Sequence, residues 1–328
     1  KKHKLYPGPV LIILATSSTV WATQEAAEQF KGAEMKLESL NFLEVVRHFE
    51  SLPVAEIVRI YGAIGGVPAY LDKWDAAKSF KDNICRLVLT PSGALYGEAD
   101  AVISAELREL SAYSTILAAI ARGENKLNDI FHATGFSRAK ISVYLKNLAA
   151  FNIVEKVVSF ETGGWENAKK GVYQIKDTFV NFWFKFVYPN MSNLYLLSPE
   201  EFYDTYIEKE LDAYLERYFR EVCTEYLLIL NQMGQLPFAI KRVGTWIGKT
   251  GRIDIVAQSK DRRSIIGFCN WDKPMMTMDM CENMAMAMEQ ARLTSDDYYL
   301  FSATDFEPAL QSYVVRDPRF KLINMNEL

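Results

Sequence analysis

Residues 111–123 read SAYSTILAAIARG, residues 126–135 KLNDIFHATG, and residues 137–152 SRAKISVYLKNLAAFN. In the first stretch Ile116, Leu117 and Ile120 recur at helical spacing, and Gly123 is a plausible C-cap. In the second, Leu127, Ile130 and Phe131 share a face and Gly135 ends it. Ser137 stands as N-cap of the third helix, whose apolar stripe is Ile141, Tyr144 or Val143, Leu145 and Leu148. Two short helices, a tight turn at Gly135-Phe136 and a longer helix are the helix-turn-helix pattern. The next residues predict a wing. IVEKVVSF (153–160) is rich in Val and alternates, ETGGWENAKKG (161–171) is a turn-rich loop, and VYQI (172–175) is a second short strand.

A third helix in this pattern enters a DNA major groove. Its outward residues are Ser137, Arg138, Lys140 and Ser142, with Lys146 further along and Lys169 and Lys170 in the wing. Lys and Arg neutralise phosphates, and Arg also reaches guanine edges. Residues 104–176 hold ten Lys and Arg against seven Asp and Glu, a net +3 in a chain of net −4. The positive excess therefore sits on this segment. A charge of +3 is modest for a DNA binder, so a wedge between proteins or domains is the competing expectation.

Working outward, 328 residues with 49% apolar side chains predict two or three domains with substantial cores. No apolar run is long enough to span a bilayer, and VLIILA (10–15) reads as a buried strand. Cys85, Cys223, Cys269 and Cys281 lack CxxC spacing and only three histidines are present. A zinc site is not expected, and reduced thiols in a cytoplasmic setting are. No signal peptide is visible, and a chain beginning at Lys1 is read as a possible fragment.

Residues 5–14, LYPGPVLIIL, predict a strand ending at the hydroxyl cluster Thr16-Ser17-Ser18, with a helix over 20–30 and a short strand then a helix over 35–49. PVLIILATSSTVWATQ (9–24) and FKGAEMKLESLNFLEVVRHF (30–49) resemble the end of the nucleotide-binding domain in the archaeal-type family of prokaryotic AAA ATPases. The Gly65-Gly66-Val67-Pro68 turn and the aromatic run FVNFWFKFVYP (179–189) are similar to the family's helical lid and its Phe-Trp-Phe segment. The resemblance implies that Ser17 and Ser18 stand at the nucleotide sensor. The family's Gly-Arg pair is Lys31-Gly32 here, so its arginine is missing. Neither GVPAYLDK nor GTWIGKTG has the spacing of a GxxxxGK[ST] phosphate loop, and in the latter the first Gly is five residues before Lys249. Helix capping is the alternative role for Ser17 and Ser18.

Residues 200–231 predict one long or broken helix. LPFAIKRVGTWIG (236–248), RIDIVAQS (252–259) and RSIIGFCNW (263–271) predict three strands, and KPMMTMDMCENMAMAMEQARL (273–293) a Met-rich helix. A strand, a helix and a last strand, KLINMN (321–326), complete the region. This order suggests a restriction-endonuclease-like unit, which the family resemblance also implies. In the family a strand Glu-Ile-Asp and a strand Gly-Glu-Cys-Lys-Trp carry the metal and water chemistry. Here they read Arg252-Ile253-Asp254 and Gly267-Phe268-Cys269-Asn270-Trp271, and the acid expected on the helix is Arg220, next to Glu221. Asp254 alone remains, and one carboxylate does not hold Mg²⁺. Asp254 is therefore expected to serve as a hydrogen-bond acceptor. The seven methionines between 275 and 288 are not on one stripe and are read as flexible core filling.

The expected fold is multidomain α/β. Residues 1–50 would be the remnant of a AAA-type domain, 51–103 a helical lid, 104–176 the winged helix, 177–199 an aromatic linker and 200–328 a degenerate nuclease-like unit. The expected function is the C-terminal part of a AAA-type ATPase, contacting double-stranded DNA and catalytically inactive as a nuclease. Protein partners on a scaffold are the alternative. No cofactor or metal is expected in these residues, and ATP and Mg²⁺ enter only through an upstream nucleotide domain.

Overall fold

The computed structural model describes residues 11, 13–16, 35–105, 107–160, 171–248 and 251–328. Helix α1 (Phe42–His48) starts at a capping box in which the Asn41 side chain accepts the Glu44 amide and Glu44 accepts the Asn41 amide. Helix α2 (Val54–Ile64) stops at Gly65, whose φ of 69° suits glycine, and α3 (Pro68–Leu71) begins on a proline. The glycine pair has a second reason. A Cβ on Gly66 would lie 1.9 Å from the Leu40 carbonyl oxygen. Helix α4 (Phe80–Ile84) runs into a wider π-turn, Cys85–Leu89, and α5 (Glu98–Ser104) follows.

The next three helices are α6 (Leu110–Ala121), α7 (Leu127–Thr134) and α8 (Arg138–Ala150). Gly135, at φ 69°, ends α7, and the Ser137 hydroxyl accepts the Lys140 amide to start α8. Ile116, Leu117 and Ile120 of α6, Ile130 of α7, and Ile141, Tyr144, Leu145 and Leu148 of α8 are buried together. Strands β1 (Val154–Val157) and β2 (Val172–Ile175) then pair antiparallel, Val154 opposite Ile175.

Asp177 caps α9 (Thr178–Phe182), which continues as a π-turn over Trp183–Val187. Phe179, Phe182, Trp183, Phe184 and Phe186 are buried, while Lys185 between them reaches the surface and pairs with Glu210 at 2.6 Å. After α10 (Met191–Leu194), the predicted long helix is broken into α11 (Pro199–Tyr206) and α12 (Glu208–Gln232). The main core joins these helices to one face of a sheet.

That sheet is five-stranded and mixed. Its strands are β3 (Arg242–Ile247), β4 (Arg252–Gln258), β5 (Ser264–Asn270), β7 (Asp297–Ser302) and β9 (Phe320–Asn324), in that spatial order. The first three run antiparallel as a meander, while β5, β7 and β9 are mutually parallel. Helix α12 packs on one face through Phe219 and Leu227 with Ile255, Ile265 and Phe301. Helix α13 (Met278–Ala291) packs on the other through Met284, Ala287 and Met288 with Ile253, Val256 and Ile266. A parallel pair, β6 (Met275–Met276) with β8 (Asp305–Phe306), and helix α14 (Pro308–Arg316) complete the unit.

Three expectations are corrected. Leu11 is 84% exposed and Ile13 80%, with no strand assigned, so a buried strand over 10–15 is not found in the described residues. Apolar character gives a strand only where a neighbour pairs its backbone. Residues 35–40 likewise form no strand; the helix that follows them is present. The Met-rich helix begins only at Met278, because Met275 and Met276 pair with Asp305 and Phe306 as a strand. Of the seven methionines, Met276, Met284 and Met288 are buried, whereas Met275 and Met286 are exposed. The helix expected over 20–30 lies outside the described residues. Among the described residues, no helix is long and apolar enough to cross a membrane.

Candidate functional site

Helix α8 buries one face and exposes the other, and this places the predicted contact residues. Ser137, Arg138, Ser142 and Lys146 are exposed and Lys140 is half-buried. Several already have intramolecular roles. Arg138 donates to the Asn128 side chain at 2.6 Å and its guanidinium sits 4.2 Å from the Phe131 ring centroid. Lys140 lies 4.4 Å from the Phe136 ring. Ser137 caps the helix and the Ser142 hydroxyl donates to the Arg138 carbonyl. Such contacts hold both cations near the helix start against aromatic rings of the same three-helix unit. Lys169, Lys170, Ser17 and Ser18 lie outside the described residues.

Asp254 lies on β4 and is 8% exposed. Its Oδ1 accepts from Arg220 Nε of α12 and from Arg252 Nε of its own strand, both at 2.9 Å. Its Oδ2 accepts the Cys269 amide at 3.1 Å. One negative charge thus faces two positive ones. Asn270, where the family resemblance expects lysine, is 2% exposed and turned away to the Lys273 carbonyl and the Ser302 and Thr304 hydroxyls. Phe268 joins the apolar cluster under α13. These donors do not suit Mg²⁺, because two guanidinium groups already occupy the carboxylate and repel a dication. Among the described residues, no group of three or more His, Cys, Asp or Glu side chains could hold a metal ion. Burial pushes the nearby Cys223 thiol well above its usual range, which favours its protonated form.

The β1–β2 hairpin does not hang free. Arg217 of α12 donates to the Ile175 carbonyl at 2.8 Å, pairs with Glu221 at 2.8 Å and lies 3.9 Å from Glu155 on β1. Burial works against its charge, yet Tyr218 and Glu221 outweigh that and hold its pKa above the ordinary value. Beyond β1, Ser159 accepts the Ile247 amide at 2.9 Å, and the Phe160 ring lies under Arg242 at 3.9 Å and beside Trp246 in the α13 core. Sequence reasoning missed Arg217 and Phe160. A charged residue inside the amphipathic pattern of α12 was the available signal.

Residues 183–284 match a family model, DUF234, described as archaeal and bacterial proteins of unknown function. An uncharacterised protein of Methanocaldococcus jannaschii is 29% identical over 276 residues, covering 83% of this chain and 61% of that protein. The chain thus spans about three-fifths of the length of this relative. No solved structure matches. The matched region runs from the aromatic turn after α9 through α12 and β3–β5 into α13, and so contains Asp254 and both of its arginines.

Proposed function

We propose that this chain is a DNA-contacting module. In this reading residues 104–176 are a winged helix-turn-helix whose α8 lies against a duplex. Residues 200–328 are a restriction-endonuclease-like unit that has given up its metal chemistry and acts as a scaffold. Residues 51–103 and 177–199 are the helical lid and aromatic linker between them. The observation that carries the reading is α8 itself. It packs through Ile141, Tyr144, Leu145 and Leu148 and turns Ser137, Arg138, Ser142 and Lys146 outward. The net +3 of this segment against the acidic remainder supports the same face.

Binding to a random-sequence duplex at several salt concentrations tests this. Phosphate contacts predict a log–log slope near −0.9 per contact. The triple variant Arg138→Glu, Lys140→Glu, Lys146→Glu is expected to abolish binding or flatten the slope by roughly three. Undiminished affinity in that variant would sink the proposal. No binding even at low salt would favour the scaffold reading, which has its own supporting observation: Val143 is 57% exposed on the same face of α8 and is suited to a protein surface.

In a longer protein, ATP and Mg²⁺ would be held by a nucleotide domain outside these residues, to which residues 1–50 would belong. That ATPase reading rests on the sequence resemblance over 9–49. An open reading frame encoding GxxxxGK[ST] directly ahead of Lys1 is its test.

A further inference from the structure

Between β4, β5 and α13 lies a cavity of about 490 Å³. Small-molecule sites fall at roughly 300–1,000 Å³. Its wall is formed largely by Met276, Met280, Met284, Ala287, Leu300 and Phe268. Methionine is unbranched and polarisable, so such a wall adapts to a slender apolar guest. One end is polar, where Arg252 and Asp254 meet beside Gly251. Arg220 and Arg252 together outweigh Asp254 and leave one positive charge there. The Arg252 side chain is 45% exposed and donates through Nε to Asp254. Arg252 lines this cavity, and its guanidinium carries further N–H donors beyond the one given to Asp254.

We propose that this cavity binds a small amphiphile, with an apolar chain among the methionines and a single anionic head group, phosphate monoester or carboxylate, on Arg252. The loss of metal-binding donors and the apolar filling belong together. Asp254, held by two arginines, no longer attracts a cation, and the surplus guanidinium charge attracts an anion. A free inorganic anion lacks the chain that the wall accommodates, and a neutral alcohol lacks the charge. The inference is independent of DNA contact by α8, which lies in another part of the molecule.

Calorimetric titration of the full chain with octyl phosphate, octanoate, octanol and inorganic phosphate tests it. Octyl phosphate or octanoate is expected to bind at one saturable site, and the tighter of the two identifies the head group. Octanol should bind about tenfold more weakly, and inorganic phosphate should give no saturable heat. Arg252→Met keeps an apolar stem and removes the charge. It is expected to weaken the anionic ligand by about tenfold while leaving octanol unchanged, and the retained octanol binding shows that the cavity is intact. Ala287→Phe fills the cavity and is expected to remove binding of all three octyl compounds while the urea transition stays cooperative. Absence of saturable binding of both anionic amphiphiles to the unmodified chain would overturn the proposal. So would equal affinity in Arg252→Met or in a folded Ala287→Phe protein.

Discussion

A carboxylate shared by two guanidinium groups stabilises them as much as they stabilise it, and Asp254 is placed for that work. Its Oδ1 receives both arginines while Oδ2 ties down the Cys269 amide at the end of β5. Removing it leaves Arg220, with a side chain only 14% exposed, without its counter-charge. Asp254→Ala is expected to destabilise the fold towards the low end of the about 3–5 kcal/mol typical of a broken buried pair, because Arg252 is half in water. Urea denaturation measures this. Millimolar Mg²⁺ should leave the midpoint of the unmodified chain in place, since no group of side chains suited to a metal ion is found among the described residues. An upward shift of the midpoint would return Asp254 to the role of a metal ligand.

At the level of elements, long-range tethers matter as much as local propensity. Glu225 of α12 caps α1 from across the sequence, its two oxygens accepting the Phe42 and Leu43 amides at 3.0 Å each. A carboxylate at a helix start satisfies orphan amides and complements the helix dipole. Glu225→Ala is expected to cost about 1–2 kcal/mol and to expose residues 35–49 to limited proteolysis before the rest unfolds. Glu225→Gln, which keeps an acceptor, should lie between. Such a tether is not legible in sequence, because nothing at 42–43 announces a partner at 225. What was legible is local. Gly135, Ser137 and the stripe Ile141–Leu148 define α7 and α8, and the runs RIDIVAQS (252–259) and RSIIGFCNW (263–271) define β4 and β5. The strand expected over 10–15 shows the limit, since VLIILA has the composition of a buried strand but its described residues are exposed and carry no strand. At the candidate site, the sequence singled out Asp254 as an expected hydrogen-bond acceptor, and three donors do reach it. It did not reveal that both arginines converge on a single oxygen, which depends on how α12 crosses the sheet.

Over the whole molecule, the α12 helix links the hairpin to the sheet. Its Arg217 grips β1 and β2, its Arg220 grips β4, and its Glu225 grips α1. Arg217→Leu would leave the Ile175 carbonyl without its donor, a loss of about 1–3 kcal/mol. Faster amide exchange in Val154–Val157, with exchange in β4 and β5 unchanged, is the expected signature. If α8 and the hairpin act as one DNA-facing surface, the same variant should also bind duplex more weakly although no phosphate-facing residue has been altered. Unchanged exchange in β1 would show that the hairpin is held by its own pairing alone.

The two π-turns have a consequence for how relatives of this chain can be aligned. In each, an amide reaches back five residues rather than four, Thr90 to Cys85 at 3.0 Å and Tyr188 to Trp183. Each turn is therefore the geometric equivalent of one residue inserted into a regular helix. Deleting that residue would restore the ordinary register and rotate everything beyond it by about 100° around the helix axis. In the aromatic run Phe182, Trp183, Phe184 and Phe186 are all buried, so over most of the turn such a rotation exchanges one large buried side chain for another. A one-residue gap between this chain and a relative, if it falls in a helix at all, should fall at 85–89 or 183–187, and elsewhere in these helices it would turn a core face outward.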